Sequence, residues 1–359
     1  MRIAMLVPGL SPHDAVSNDA LGMTAALRRL GHEVALFAPH ARGVDEPVHA
    51  PAAIDSWLRS PEDVVLYHYC VGWDSPLALF KRTRVRRILR YHNITPPEFF
   101  ADWSPGYLAG CAEGRGQLDA YAAMGCELYL GCSPYNLDDF ITRGVDPARC
   151  ALLPPFHEVE QLRALEADAR RLPAGAPLLL MVGRLAPNKR HLDLVDALTV
   201  LRRTQTGAHL LSIGKLDPNL ARYGEALQTH IHVSGVASAV TLMQDANGAE
   251  LRAAYERADA LVMLSEHEGF CVPLIEAMAL GTPVIARATS AIPWTLGDAG
   301  LLWDSADAHL IATSIQRVAH DTELRAHLSE RGRARYAATF VPAVLERELA
   351  TVLARFGRR

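Results

Sequence analysis

Two glutamates stand close together in the C-terminal half of the chain. Glu268 and Glu276 are eight positions apart within the string SEHEGFCVPLIEAMALGTPVI, residues 265–285. We expect Glu268 on a loop that follows a buried strand, and Glu276 on the helix that the loop opens. A helix start offers free N–H groups that favour an anion, and carboxylates accept hydrogen bonds from sugar hydroxyls. The string therefore predicts a site for a ligand that carries both hydroxyls and phosphates.

The backbone pattern of this string fits that interpretation. Gly269 permits a close backbone approach or a positive φ. Pro273 suits the first helical position, because its missing N–H costs nothing there. The free N–H groups around Cys271–Leu274 are then expected to face the ligand. The plainer alternative, in which both glutamates only cap the helix and complement its dipole, would suit an arbitrary pair. The specificity of the whole string favours the ligand site.

A second motif supplies positive charge. The string VGRLAPNKR, residues 182–190, ends a predicted strand and continues into a loop with Arg184 and Lys189. Arginine offers a planar fork of donors and lysine a point charge, which together can hold a diphosphate. Taken alone, the motif fits a solvated loop with charges at a helix start equally well. Its pairing with the glutamate string favours a nucleotide diphosphate.

Composition limits the broad class of protein. The chain has 359 residues, of which 50% are hydrophobic, and its net charge is −4, which argues against a nucleic-acid-binding protein. The apolar start MRIAMLVPGL predicts a first buried strand rather than a signal peptide. No apolar run reaches the ~18 residues that cross a bilayer. The six cysteines form no CxxC pair, which is typical of reduced thiols. We expect a cytoplasmic protein.

Strand and helix patterns alternate along the whole chain and restart after Pro154-Pro155. Continuous apolar strands predict parallel sheets that are covered on both faces. We therefore expect an α/β protein with two doubly wound Rossmann-like domains that face each other across a cleft, where ligands of such sheets bind. The predicted parts are an N-terminal domain (1–155), a hinge (156–175), a C-terminal domain (176–340) and a C-terminal helix (341–359) that crosses back to the N-terminal domain.

Both motifs, in this order and context, resemble those of the retaining glycosyltransferases of family 4, which have the GT-B fold. The strongest similarity lies in residues 182–190 and 265–285. Weaker similarity is found in YHNITPPEFF (91–100), CSPYN (132–136), AIPWTLGDAGLL (291–302) and DAVSND (14–19). The resemblance covers nearly the whole chain. It implies transfer of a sugar from a nucleotide diphosphate to a hydroxyl acceptor, with retention of the anomeric configuration and without a metal or other cofactor.

The resemblance also implies roles for particular residues. Glu268 and the N–H groups of Gly269 and Phe270 are expected to contact the donor sugar, and Glu276 the ribose hydroxyls. His92, at the end of an N-domain strand, is expected to face the donor across the cleft. The implied catalytic residues are His92, Arg184, Lys189 and Glu268. The implied donor-binding residues are Gly9, Gly183, Arg184, Lys189, Glu268, Gly269, Phe270, Cys271, Val272 and Glu276.

Departures from the family pattern leave the donor open. Gly9 stands alone where many relatives carry a glycine pair, Gln244 follows a strand where relatives often have glycine, and Trp294 stands where they usually have glutamate. GDP-mannose is favoured over UDP-sugars as the donor, for synthesis of a polysaccharide or glycolipid. The alternatives are a nucleotide-sugar epimerase or phosphorylase on the same fold, although no context for a pyridoxal phosphate lysine is visible. A further alternative is a non-catalytic protein that binds a nucleotide sugar.

A basic run, KRTRVRRILR, occupies residues 81–90. It fits a solvated helix end followed by a strand start. The functional alternative is a peripheral contact with anionic lipid or a lipid-linked acceptor. Trp103 and Tyr107 lie in an N-domain segment that could form part of an acceptor wall, although packing is the simpler explanation.

Overall fold

The computed structural model describes residues 1–12 and 14–357, apart from the side chains of residues 355–357. The described chain divides into two compact units. The first unit comprises Met1–Pro97, Ala109–His157 and the chain from Pro342 onward. The second unit comprises Glu98–Leu108 and Glu158–Val341. Neither unit is therefore a single continuous stretch of sequence.

The first unit is built on a parallel sheet of seven strands in the order β3-β2-β1-β4-β5-β6-β7. Its strands are β1 (Arg2–Leu6), β2 (Glu33–Phe37), β3 (Val48–His49), β4 (Val64–Tyr69), β5 (Arg86–Tyr91), β6 (Leu128–Gly131) and β7 (Cys150–Leu152). Its helices include α1 (Ala15–Arg29), α2 (Ile54–Trp57), α3 (Asp74–Arg82), α4 (Pro105–Gly116, begun in the second unit), α5 (Leu118–Ala123) and α6 (Pro134–Ile141).

The second unit is built on a parallel sheet of six strands in the order β10-β9-β8-β11-β12-β13. Its strands are β8 (Leu178–Val182), β9 (His209–Ile213), β10 (Val240–Met243), β11 (Ala260–Met263), β12 (Val284–Arg287) and β13 (Leu301–Trp303). Its helices are α7 (Val159–Ala164), α8 (His191–Leu201), α9 (Ala221–Val233), α10 (Gly248–Arg257), α11 (Val272–Leu280), α12 (Ile292–Leu296), α13 (Ala308–His320) and α14 (Thr322–Thr339). A further helix, α15 (Pro342–Gly357), belongs to the first unit.

Both faces of the first sheet are covered by apolar side chains. Along β1, Ile3 and Met5 enter the core that α1 shares with α15, while Ala4 and Leu6 enter the core on the opposite face. This alternation follows from the two-residue period of a strand. From α15, the core receives Leu345, Leu349, Val352 and Leu353. A strand buried on both faces must be apolar throughout, which explains the continuous apolar runs in the sequence.

The predicted fold class is confirmed, because both sheets are parallel and doubly wound. Strand order reverses between β1 and β4 in the first sheet, and between β8 and β11 in the second. In open α/β sheets such a switch point leaves a crevice at the carboxyl ends of the strands, where ligands bind. Each unit therefore has a candidate ligand position of its own.

Several details differ from the sequence-based expectations. The stretch predicted as a hinge, 156–175, contains the short helix α7 and belongs to the second unit from Glu158 onward. Segment Glu98–Leu108, expected in the N-terminal domain, also belongs to the second unit. The short strands β3, β7 and β13 were not predicted, because two or three residues carry too little periodicity. The predicted helix break at Pro342 is confirmed, and residues 358–359 lie outside the described chain.

Among the described residues, no helix combines the length and the apolar character that a membrane crossing needs.

Candidate functional site

The two sequence motifs meet at the switch point of the second sheet. The loop after β8 carries Arg184 and Lys189, and the loop after β11 carries Glu268. Strands β8 and β11 are direct neighbours in the sheet, so the loops at their carboxyl ends are adjacent. Two hydrogen bonds join these loops: the Glu266 N–H donates to the backbone O of Asn188 at 2.9 Å, and the Asn188 side-chain Nδ2 donates to His267 O at 3.1 Å. The motifs therefore form one structure.

An ion pair stands at the centre of this structure. Lys189 Nζ donates to Glu268 Oε1 at 2.6 Å, and the two side chains retain 16% and 8% of their accessible surface. A lysine ammonium has three donors, so this contact leaves two for other acceptors. The pair holds both side chains in place while leaving the lysine partly accessible.

Arg184 is exposed and lies in the same loop as Lys189. Within the described part of the chain, no carboxylate forms an ion pair with it. The pKa of Asp217 is lowered overall. Burial opposes this shift, whereas the hydrogen bonds from Asn219 and Tyr107, and after them the charge of Arg184, lower the pKa. A guanidinium held at a strand end without a carboxylate partner is available to a phosphate.

Gly183 and Gly214 bring the ends of β8 and β9 unusually close. Gly183 has φ 151° and Gly214 has φ 157°, and a Cβ on Gly214 would lie only 1.9 Å from Gly183 O. A side chain at position 214 is therefore excluded by contact with backbone. The sequence singled out Gly183, and the structure shows that Gly214 is needed for the same turn.

The glutamate loop is fixed by hydrogen bonds from its neighbours. Glu268 N–H donates to Ser290 Oγ at 2.8 Å, and Thr295 Oγ1 donates to Phe270 O at 2.7 Å. Thr289 Oγ1 donates to Ser265 O at 2.5 Å. Such contacts hold the loop in one geometry before any ligand binds, which reduces the ordering cost of binding.

The loop passes into α11 at Cys271, which caps the helix with a left-handed backbone (φ 73°). Pro273 occupies the second helical position rather than the predicted first one, where the same argument about its missing N–H applies. The N–H of Leu274 was expected to be free for a ligand. That expectation is wrong, because this N–H donates to Cys271 O at 3.1 Å. For the N–H groups of Gly269 to Val272, contact with a ligand stays a prediction.

Phe270 and Cys271 keep their side chains in the interior. The Phe270 ring lies 6.2 Å from that of Trp294 and 5.6 Å from that of Phe340, so only its backbone can serve a ligand. Burial, and after it the Glu268 carboxylate, raises the pKa of the Cys271 thiol well above its ordinary value. The thiol therefore stays protonated and does not act as a nucleophile. Trp294 fills a packing position.

Glu276 lies on α11 and is held by a buried tyrosine. Tyr255 Oη donates to Glu276 Oε2 at 2.5 Å, and Thr282 Oγ1 donates to the backbone O of Tyr255 at 2.7 Å. Burial raises the pKa of Glu276, and the bond from Tyr255 partly offsets that rise. Glu276 is itself partly exposed, so Oε1 is the oxygen left for a ligand hydroxyl. Sequence reasoning missed Tyr255, because a tyrosine in a helix gives no signal of this contact.

Unusual backbone conformations coincide with the predicted site residues. Among the described residues, positive φ at non-glycine positions occurs at Asn93 (69°), Arg190 (58°), Cys271 (73°) and Ser290 (48°). Asn93 follows His92, Arg190 follows Lys189, and Ser290 binds the N–H of Glu268. Such conformations persist only where the surroundings impose them, and they concentrate at functional sites.

His92 and Gly9 lie in the first unit, whereas the other predicted site residues lie in the second. Gly9 follows β1, and the nearest atom to a Cβ built there, His40 O, is 3.9 Å away, so a small side chain would fit. His92 follows β5 and sits in a polar cluster with Asp19 and His68. Its side chain keeps 9% of its accessible surface. Neither Asp19 nor His68 was predicted as a site residue. Asp19 ends the string DAVSND, whose similarity to the family is weak, and His68 lies in no motif.

Segment Glu98–Leu108 contributes to the second unit through two aromatic residues. Tyr107 Oη donates to Asp217 Oδ2 at 2.8 Å, which places it on the loop after β9. The Trp103 ring meets the Tyr223 ring edge-on at 5.2 Å. Packing within the second unit therefore accounts for both residues, and the proposed acceptor wall stays a prediction.

Three of the six basic residues in the run 81–90 form ion pairs within the first unit. Arg82 forms an ion pair with Asp55 at 2.7 Å, and Arg87 with Glu127 at 3.5 Å. Arg90 is fully buried against Asp19. The run therefore does not present one continuous basic surface.

Comparisons with known proteins agree with this geometry. Residues 163–335 match the family model described as glycosyl transferases group 1. This match covers a little under half of the chain. The matched residues include Arg184, Lys189, Glu268 and Glu276, whereas Gly9 and His92 lie outside them.

Curated relatives carry glycosyltransferase names. The lipopolysaccharide core biosynthesis glycosyltransferase LpsE of Rhizobium meliloti is 31% identical over 174 residues, which is 47% of this chain and 48% of that protein. The GDP-mannose-dependent alpha-(1-6)-phosphatidylinositol monomannoside mannosyltransferase of Mycobacterium tuberculosis is 28% identical over 339 residues, or 84% of each chain. The chain spans about half the length of several curated relatives that it matches at 30–31% identity.

Solved structures share the fold over the full chain. HepE of Anabaena in complex with UDP has a TM-score of 0.79 at 16% identity, covering 99% of this chain and 100% of that one. Sucrose-phosphate synthase from Thermosynechococcus elongatus has a TM-score of 0.78 at 21% identity, covering 100% and 99%. At these identities the likeness shows the GT-B fold, and nothing about substrate.

Proposed function

We propose that this protein is a retaining glycosyltransferase that moves a sugar from a nucleotide diphosphate sugar to a hydroxyl of a glycan or lipid-linked acceptor. The observation that carries the proposal is the Lys189–Glu268 pair at 2.6 Å, set at the switch point of the second sheet. Left-handed backbone at Arg190 and Cys271 flanks this pair. The glycosyl transferases group 1 match over the same residues supports it.

The leaving diphosphate is the group that this site suits best. Arg184 offers an exposed guanidinium and Lys189 two remaining ammonium donors, and the start of α11 adds backbone N–H groups. Donors that are fixed in advance stabilise charge as it develops on a leaving group. We propose that these groups take the place that a metal ion fills in other transferases, so that no metal or other cofactor is required.

In the proposed reaction the bond from the anomeric carbon to the diphosphate oxygen breaks, and the acceptor oxygen bonds to the same face of that carbon. The acceptor proton passes to the departing phosphate oxygen. Glu268 does not need to act as a nucleophile, since Lys189 already holds its Oε1 and Ser290 its N–H. This differs from retaining glycoside hydrolases, where a second carboxylate attacks the sugar. Glu268 instead binds the donor sugar, and Glu276 binds the ribose hydroxyls.

GDP-mannose is the donor that we propose first, with UDP-sugars as the alternative. The relative from Mycobacterium tuberculosis, which is matched over 84% of this chain, is named for GDP-mannose. A lipid-linked acceptor would bring the protein to the cytoplasmic face of a membrane. Ion pairs within the first unit engage Arg82, Arg87 and Arg90, which leaves Lys81 and Arg84 as the exposed members of the basic run that could support that contact.

The decisive experiment incubates the protein with GDP-mannose, UDP-glucose and other nucleotide sugars, with and without glycan or lipid acceptors. Nucleotide release should depend on one donor and should survive EDTA, and NMR of the product should show the anomeric configuration of the donor. An inverted product would refute retention. Interconversion of the donor sugar without an acceptor would indicate an epimerase, and binding without turnover of any donor would indicate a binding protein.

A further inference from the structure

A cluster of buried polar groups lies inside the first unit, at the carboxyl end of its sheet. Asp19 of α1, His68 of β4 and Arg90 of β5 have no accessible side-chain surface, and His92 keeps 9%. Arg90 Nε donates to Asp19 Oδ2 at 2.8 Å, and Phe156 N–H donates to Asp19 Oδ1 at 2.8 Å. A fold does not need two imidazoles in its interior, since apolar side chains would fill the space at lower cost.

The cluster is better suited to protons than to a metal ion. Ligand atoms of Asp19, His68 and His92 lie within 4.8 Å of one another. However, the Arg90 guanidinium already donates to the carboxylate oxygen that a cation would need, and its charge repels one. The Asp19–Arg90 pair is neutral as a whole, and burial lowers the pKa of both histidines. Both imidazoles are therefore neutral, and each carries one proton.

A single proton lies between the two rings. His68 Nδ1 and His92 Nε2 are 2.9 Å apart, so one donates and the other accepts. If His92 donated, the proton of His68 would sit on Nε2, which is buried without a hydrogen-bond partner among the described residues. Buried N–H groups without an acceptor are rarer than buried acceptors without a donor. This favours His68 as the donor, with its Nδ1–H also 3.7 Å from Asp19 Oδ2.

The other nitrogen of His92 leads to the same assignment independently. His92 Nδ1 lies 3.7 Å from Cys132 Sγ. Burial raises the pKa of the Cys132 thiol to about 12, so the sulfur keeps its proton, which it donates to Tyr91 O at 3.6 Å. The sulfur can then only accept from His92, which places the imidazole proton on Nδ1. Sulfur is a weak acceptor, and an oxygen would be a better partner for this N–H.

We propose that His68 is a positioning residue that fixes His92 as the Nδ1–H tautomer, so that His92 is a neutral hydrogen-bond donor to an oxygen of the bound substrate. The use of His92 on substrate rests on the proposed glycosyltransferase function, whereas its tautomer does not. The role of the cluster is thus to keep a proton on one particular ring nitrogen. A charged histidine is not required.

The tautomer can be measured by NMR on protein with ¹⁵N-labelled histidine, without any substrate. We expect His92 Nδ1 to be protonated and Nε2 bare in the wild type. His68→Asn should preserve this pattern, because its amide N–H₂ replaces Nδ1 of the imidazole. His68→Leu should move the proton of His92 to Nε2, which faces Asp19 Oδ2 at 3.5 Å. If His68→Leu fails to fold, His68→Gln serves instead, since its amide reaches the position of Nε2.

Cys132→Ala is the matched control for the tautomer. It removes the acceptor at Nδ1 and should leave the proton of His92 in place, because His68 fixes it from the other side. A wild-type His92 protonated on Nε2 would overturn the assignment. A switch of tautomer in Cys132→Ala, with none in His68→Leu, would show that the thiol sets the proton and would overturn the role of His68.

Kinetics test the second half of the proposal. With the donor identified by nucleotide release, His68→Leu should lower kcat about tenfold, the size of one hydrogen bond, and His68→Asn should restore it. If the His92 tautomer switches in His68→Leu and kcat still equals that of the wild type, His92 is not a hydrogen-bond donor to the substrate. Absence of any turnover in the wild type would refute the proposed function, and with it the use of His92 on substrate, while the NMR result would still decide the tautomer.

Discussion

Each unit holds an ion pair toward the carboxyl end of its sheet, and the two pairs differ in access. In the first unit, Asp19 and Arg90 are 2.8 Å apart with no accessible surface on either side chain. In the second, Lys189 and Glu268 are 2.6 Å apart and keep 16% and 8%. The first pair is enclosed by protein, with further hydrogen bonds from Phe156 N–H and to Leu153 O. The second remains open on one side.

This difference separates two uses of buried charge. An enclosed pair cannot exchange partners, so its contribution is to hold its neighbours in one arrangement and to balance charge around two neutral histidines. A partly open pair can share the ammonium donors of Lys189 with a ligand. We therefore expect that breaking the first pair damages folding, and that breaking the second damages binding and turnover.

The largest effect is expected for Asp19→Asn. This change leaves the Arg90 guanidinium buried without its counter-charge, and breaking a buried pair in this way costs about 3–5 kcal/mol. Chemical denaturation followed by circular dichroism should show the loss. Asp19→Asn combined with Arg90→Met should recover much of it, because no unpaired charge remains. A single variant as stable as the wild type would show that the pair is not structural.

Lys189→Ala should reduce donor turnover about 10²–10³-fold, the effect of removing one fixed donor from developing negative charge. The melting temperature should change little, in contrast to Asp19→Asn. Lys81→Ala is the matched control, since Lys81 is an exposed lysine of the first unit. If turnover by Lys189→Ala stays within threefold of that by the wild type, Lys189 does not bind the donor.

Stability should fall as the pH is lowered from about 6.5 to about 4. Burial lowers the pKa of His68 from 6.5 to about 4, and that of His92 well below 6.5. The unfolded chain therefore takes up protons in this window that the folded chain does not bind, so unfolding becomes easier. Asp19 adds to the loss only below its ordinary value of 3.8, because its folded pKa is lowered.

Urea denaturation at pH 7, 6 and 5 measures this dependence. His68→Asn should reduce its slope without abolishing it, since the amide does not titrate while His92 still does. A free energy of unfolding that stays constant between pH 7 and 5 in the wild type would mean that these histidines are charged or accessible in the folded protein.

The smallest effect is expected for Tyr255→Phe. The variant removes only the hydroxyl that holds Glu276 Oε2 at 2.5 Å, so we expect a several-fold loss of affinity for a nucleoside diphosphate. Calorimetry with the corresponding 2′,3′-dideoxynucleotide provides the control. That ligand lacks the ribose hydroxyls, so its affinity should be the same for both proteins. An equal loss for both ligands would place Glu276 away from the ribose.

The sequence allowed the second unit to be predicted further than the first. Continuous apolar strands revealed both sheets, and two long motifs revealed the loops after β8 and β11. Tyr255 and Ser290 escaped prediction, because each acts through one hydrogen bond formed by tertiary folding. In the first unit, Asp19, His68 and Arg90 come from three separate elements, and no local spacing connects them. Arg90 in particular looked like part of a basic surface run. In the structure it lies on β5, where side chains alternate between the two faces of the sheet, and its own side chain points into the interior.

The packing of α15 has a consequence for the order in which the chain folds during its synthesis. Leu345 and Leu349 complete the same apolar core as Ile3 and Met5 of β1, and all of Glu158–Val341 lies between them. The second unit has every one of its residues before α15 leaves the ribosome. The first unit does not, so the face of β1 that packs against both α1 and α15 stays incompletely covered until then. Domains usually fold in the order of their synthesis. Here the second unit can complete its core before the first. A nascent chain held on a ribosome that is stalled before Pro342 should therefore have a first sheet that chaperones and proteases can still reach.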